Sequence, residues 1–190
     1  DWEATSDFME DVDTLAKQPA FNTTIIFEKA RASFQTYMDK KRQSTDSSRL
    51  TDKEKAILEA RDLLQDECRQ FAEHPAGIYC LPIPTGGGKT LSGLAYALEH
   101  CRLHPETERI IYVSPYISII EQNAQVFREA IGNNEWILEH HSSVIRNDKT
   151  ESEDYRASRF LKYDINWEEP FICTTFVQFM NTLFSDKSES

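Results

Sequence analysis

The sequence predicts an α/β fold, a parallel sheet flanked by helices and preceded by a helical segment, and two observations carry that reading. From Gly77 onward, apolar runs of strand length alternate with stretches of helical period, the order that places parallel strands under crossover helices. At the first strand-to-helix junction lies TGGGKT, Thr85 to Thr90, a glycine-rich turn with a lysine at the head of a helix.

Taken in chain order, Ile26, Phe27, Ala30, Phe34, Tyr37 and Met38 recur at helical spacing and predict an amphipathic helix from Thr23 to Lys41 whose apolar face needs a cover. KKRQSTDSSRLTDKEK has no apolar face, and residues 43–55 within it read as a flexible linker. Its last part, Thr51-Asp52-Lys53-Glu54, is a capping box that opens a helix. That helix carries Ile57, Ala60, Leu64, Cys68 and Phe71 on one side and stops before Pro75. Ile78 to Ile83 reads as the first strand and Thr90 to Cys101 as a helix. Arg109 to Ser114 is the second strand, followed by a helix over Ser118 to Ile131. EWILEHH is a third strand, and the polar stretch after it is an excursion with a helical part. PFICTTF is a fourth strand leading into the helix VQFMNTLFS.

With 190 residues the chain is long enough for one sizeable domain and an appendage, and its 39% hydrophobic content suits a folded protein. A formal charge of −11 excludes coating of nucleic acid through bulk charge, so any such contact has to be local. Much of the acid sits at the start, where Asp1, Glu3, Asp7, Glu10, Asp11 and Asp13 face only Lys17. Cys68, Cys80, Cys101 and Cys173 show no C-x-x-C pairing and no metal-ligand spacing, and read as reduced core residues. No run of about 18 apolar residues occurs, so the expectation is no membrane partner and a cytoplasmic location. The opening in mid-pattern, on Asp rather than Met, reads as a piece of something larger.

The strict phosphate-loop pattern wants a glycine six residues before the lysine, and that position is Ile83. What fits is the P-T-G-x-G-K-T variant, with Thr85 and Gly86 making the turn. Gly86, Gly87 and Gly88 leave successive amides free of side-chain obstruction, so they can converge on phosphate oxygens. Lys89 is placed to reach the β- and γ-phosphates of ATP, and Thr90 to offer its hydroxyl oxygen to Mg²⁺. The helix they begin points its positive end at the anion. The competing reading is a glycine-rich turn with a chance lysine.

With those residues in hand, the chain resembles the first RecA-like lobe of a superfamily-two helicase. More closely, it resembles the CRISPR-associated helicase-nuclease of type I systems, the third Cas protein family. ARDLLQDECRQFAEHPAGIYCLPIPTGGGKTLSGLAYALEH, IIYVSPYISIIEQNAQVFREAIG, LEHHSS and NWEEPFICTTFVQFMNTLFSDK carry the likeness in that order, over Glu59 to Lys187. It implies three parts: a helical segment, 1–42, trailing a missing HD nuclease domain; the linker, 43–55; and the N-terminal part of RecA-like lobe 1, 56–190. It also implies ATP-driven movement on single-stranded DNA and recruitment to a CRISPR RNA-guided surveillance complex. The nuclease domain of such a parent chain would need its own divalent metal, but no His-Asp pair occurs here, so nuclease activity attaches to no residue of this chain.

The resemblance maps the helicase's motif Ia, a DNA-backbone contact, to Ser114, Pro115 and Tyr116, where the alternative is an ordinary strand end. Thr174, Thr175 and Gln178 map to a second such contact, with chance polar residues as the alternative. His140 and His141 read as satisfied histidines ahead of catalysis. Gln65 is the candidate for reading adenine.

Hydrolysis in this class needs a D-E-x-[HQ] motif at a strand end, and none occurs. The single Asp-Glu pair, Asp66-Glu67, precedes the phosphate loop. The resemblance puts that motif beyond Ser190, so the expectation is a chain that binds nucleotide weakly and has no catalytic residue of its own. Two rival readings are a motor-subunit fragment of a restriction endonuclease, which shares T-G-x-G-K-T, and a non-hydrolysing protein-interaction module.

Overall fold

A computed structural model describes residues 21–141 and 167–184 of the chain. The acidic start, the polar excursion after His141 and the last residues lie outside the described residues.

Helix α1 spans Thr23–Ser44, and the Asn22 side chain caps it by accepting a bond from the Ile25 amide at 3.2 Å. Its buried residues Ile26, Phe27, Ala30, Phe34 and Met38 lie on one stripe, close to the expected set. That stripe is covered by helices α3 (Lys89–Leu103) and α4 (Ile117–Ile131), and Phe27 meets Phe171 edge-on with centroids 5.5 Å apart.

Residues 43–55, expected as a linker, hold the end of α1, a turn of 3₁₀ helix at Ser47–Arg49 and the start of α2 (Asp52–Phe71). The capping box is formed: the Thr51 amide donates to Glu54 at 2.8 Å and the Glu54 amide to the Thr51 hydroxyl at 3.3 Å. The buried face of α2 is narrower than the apolar spacing predicts. Gln65 and Cys68 are buried while Ile57 and Phe71 are exposed, because α2 leans only one edge against α3.

The expected first strand is absent. Ile78, Tyr79, Cys80 and Leu81 are exposed, and only Ile83 of that run is buried. A strand needs a neighbour to accept its backbone bonds, and none of the described strands lies beside this segment. Cys80 is accordingly exposed rather than a core residue, whereas Cys68, Cys101 and Cys173 are buried and unpaired.

The remaining elements follow the predicted order. β1 (Ile110–Ser114) leads through α4 and a 3₁₀ turn at Asn134–Trp136 to β2 (Ile137–His140). Gly132 ends α4 with a φ of 73°, a left-handed cap that glycine adopts without steric cost. β3 (Phe171–Thr175) runs directly into α5 (Phe176–Phe184). The sheet has three strands in the order β1-β3-β2, all parallel, with Ile110 and Ile137 both opposite Phe171. As the middle strand, β3 is buried from Phe171 to Thr174, which explains its continuous apolar reading. The partial RecA-like α/β architecture expected from the sequence is the one observed. Among the described residues no helix is long and apolar enough to cross a membrane.

Candidate functional site

Between Ile83 and α3 the chain makes a tight loop in which Gly86 and Gly88 take φ of 79° and 88°. A β-carbon at Gly87 would meet Ile83 Cγ2 at 2.5 Å and the Pro84 carbonyl at 3.0 Å, so this position admits glycine alone without a shift of the backbone. Around Gly86 nothing lies within 4 Å of where a β-carbon would stand, which leaves open space there. The Gly87 amide is spent on the Pro84 carbonyl at 2.9 Å and the Ser92 amide on Gly88 at 3.0 Å. The amides of Lys89, Thr90 and Leu91 open α3 and have no carbonyl partner among the described residues, as the first turn of a helix dictates. Lys89 is exposed and pairs with no carboxylate among the described residues. An amide-lined, cation-bearing concavity of this kind fits a phosphate group.

The loop opens into a cavity of about 800 Å³ whose walls come from three helices besides α3. α1 supplies Met38 and Arg42 and the turn after it Thr45, α2 supplies Arg61 and Gln65, and α4 supplies Gln122 and Asn123. Arg61 donates from Nε and Nη2 to the Gly86 carbonyl at 2.9 and 2.6 Å, holding the loop from the α2 side. Gln65 is 3% exposed and accepts from Arg69 at 3.3 Å, so the residue expected to read a base does line the cavity, with its carbonyl oxygen already engaged. The Thr90 hydroxyl donates to Asn123 Oδ1 at 3.2 Å, and Asn123 Nδ2 donates to the Tyr112 hydroxyl at 2.6 Å. Sequence reasoning missed Arg61 and Asn123. Asn123 left a trace, a polar residue in the apolar stripe of Ile120, Ala124 and Phe127, whereas Arg61 looked like any exposed helix charge.

A comparison with protein families matches residues 53–184 to the DEAD/DEAH box helicase model, a span that contains the loop, α3 and the whole sheet. The chain belongs to the DEAD/DEAH box helicase family. It is also similar to a protein of Haloferax volcanii described as CRISPR-associated nuclease/helicase Cas3, 30% identical over 148 residues, which is 70% of this chain and 16% of that protein. The chain therefore spans about a sixth of that relative's length.

The second group of predicted residues in this helicase chain lies at the carboxyl ends of β1 and β3, whose last residues Ser114 and Thr175 are register partners. Ser114 is 6% exposed, while Pro115 and Tyr116 stand in solvent at the start of α4. The Thr175 hydroxyl accepts from the Gln178 amide at 3.2 Å and so caps α5. Thr174 differs from expectation: it has no exposed surface and its hydroxyl donates to the His140 carbonyl at 2.8 Å, stitching β3 to β2. A middle strand covered on both faces leaves no path from that side chain to a ligand.

His141 is buried against Glu139 at 2.8 Å, and Glu139 also accepts from Arg128 at 2.6 Å, an arrangement that ties β2 to α4. Burial alone raises the Glu139 carboxyl, but the bonds from His141 and Arg128 outweigh it and hold the group below its ordinary 4.5. His140 Nδ1 accepts from the Trp167 indole N–H at 3.1 Å.

Proposed function

We propose that this chain is the nucleotide-binding part of the first motor lobe of an ATP-dependent DNA helicase-nuclease that acts in CRISPR antiviral defence in the cytoplasm. The observation that carries the reading is the loop itself: three amides at the head of α3 and Lys89 beside them without partners among the described residues, and two glycines at positive φ. Thr85, Gly86, Gly87, Gly88 and Lys89 hold the phosphates of ATP, Thr90 takes Mg²⁺ through its hydroxyl oxygen, and Gln65 faces the base. Bound Mg²⁺ supplies charge neutralisation at the phosphate oxygens. Ser114, Pro115, Tyr116, Thr175 and Gln178 form the side that meets a single-stranded DNA backbone, with the exposed Tyr116 foremost, rather than Thr174.

The helical segment 1–42 follows a nuclease domain in the parent protein, and 56–190 begins the lobe. The partners are single-stranded DNA, the RNA-guided surveillance complex and the rest of the parent chain; the likeness to the haloarchaeal relative supports this assignment. Because the sequence contains no D-E-x-[HQ] motif, the 190-residue chain binds ATP without turning it over. Equilibrium titration with ATP and Mg²⁺ tests the binding: Lys89→Ala is expected to weaken it at least about tenfold, since it removes a charge-assisted contact. ATP turnover stimulated by single-stranded DNA and abolished by Lys89→Ala would overturn the non-hydrolysing part. A wild-type chain that takes up no ATP would overturn the rest.

A further inference from the structure

Thr90 stands at the second position of α3, where a threonine hydroxyl ordinarily turns back to the carbonyl four residues earlier. That carbonyl belongs to Gly86, and both of its lone pairs are engaged by Arg61, at 2.9 and 2.6 Å. The Thr90 proton goes instead to Oδ1 of Asn123 on α4, thirty-three residues away in sequence, at 3.2 Å. Asn123 is 8% exposed, and its Nδ2 is fixed in turn on the Tyr112 hydroxyl of β1 at 2.6 Å. A hydroxyl whose proton is held on one side keeps its lone pairs on the other, and Thr90 lines the open cavity beside Lys89.

We propose that Asn123 is a positioning residue: by holding the Thr90 proton it turns the hydroxyl lone pairs toward the Mg²⁺ that accompanies ATP, and Tyr112 locks the Asn123 amide in the orientation this requires. The inference rests on the phosphate-site reading above and deepens it. Asn123 touches neither nucleotide nor metal. Its effect falls on the metal-dependent part of binding, not on the contacts made by the loop amides and Lys89. A side effect of the same chain of bonds is that the metal side of the cavity is tied to β1 two residues before Ser114, where the strand ends.

The test is titration of the 190-residue chain with ATP, in Mg²⁺ and again in excess chelator, taking the ratio of the two affinities. Asn123→Ala is expected to reduce that ratio about tenfold, and Tyr112→Phe by about twofold to threefold, the range a single hydrogen bond carries. In a Thr90→Val background, where no hydroxyl remains to be aimed, Asn123→Ala is expected to cause no further drop in the ratio, which a merely structural role would not predict. Thermal melts identify a variant that has lost its fold, and Tyr112→Phe, which removes one oxygen, then carries the test. If the wild-type chain shows a Mg²⁺-dependent affinity and folded Asn123→Ala or Tyr112→Phe keeps the full ratio, the inference is wrong and the phosphate site stands. If the wild-type chain binds no ATP in either condition, both fall together.

Discussion

Two apolar stretches of this chain look alike on paper and end up in opposite surroundings. Ile78 to Ile83 and Phe171 to Thr175 are both short and β-prone, each follows a turn residue, Gly77 or Pro170, and each carries a cysteine within it. The second is the buried centre of the sheet, with a parallel partner on either side. The first has no strand partner among the described residues and keeps only its last residue, Ile83, out of solvent. The difference teaches that a strand is a property of its neighbours. Local sequence supplies the capacity to pair, and the register partner supplies the bonds.

The largest contrast is chemical. Burial pushes the Cys173 thiol up to about 12, with Glu139 adding to the rise, while Cys80 stands exposed. From an ordinary thiol at 9.0 that displacement removes about a thousandfold of thiolate, before occlusion is added. Alkylation followed by mass mapping is therefore expected to label Cys80 quickly and Cys173 only when the chain unfolds. Comparable rates at the two sites would erase the comparison.

Next in size is packing. Phe171→Ala, in the middle strand against Phe27, is expected to cost about 3–5 kcal/mol in denaturant unfolding, whereas Ile78→Ala changes stability by no more than about 0.5 kcal/mol.

A third prediction uses Ile83, the buried residue of the exposed segment. Gly87→Ala drives a methyl into Ile83 Cγ2 and is expected to cost about 1–3 kcal/mol. Combined with Ile83→Ala, it is expected to cost less than the sum of the two single changes, a coupling measured by the four-variant cycle.

The smallest effect belongs to Glu139, which lies opposite Cys173 in the register. Its carboxyl is held below the ordinary 4.5 in the folded chain, burial being outweighed by the His141 and Arg128 bonds. Its contribution is therefore complete above that ordinary value and lost as pH falls through the lower folded one. Glu139→Gln is expected to flatten the acid limb of the stability curve, by about 1 kcal/mol at most. An unchanged acid limb would show that the paired strand gains nothing from this contact.

What was legible in the sequence follows the same rule. The Thr51–Glu54 capping box and the burial of Phe27 and Phe34 depend on residues three or four apart, and the structure has them as read. The βα order after Arg109 was legible because apolar runs of strand length there alternate with longer stretches of helical period. The loop's glycines were legible because backbone conformation demands that residue type, and Gly86 and Gly88 do take positive φ. Contacts set by tertiary packing were not. Arg61 reaches Gly86 across 25 residues, Thr90 reaches Asn123 across 33, and Thr174 is spent on His140 across 34. No local pattern encodes such pairs, because each exists only once two elements have been laid side by side.

The strand order has a consequence for how the chain reaches this state. Among the described strands β1 and β2 do not bond to each other; each bonds to β3, which is made last of the three. A nascent polypeptide that has reached His140 thus holds two strands with nothing between them, and a slot one strand wide must await synthesis of Phe171 to Thr175. Closing the slot draws together segments dozens of residues apart, so both pairings that hold the middle strand are non-local and carry the loop-closure cost that goes with it.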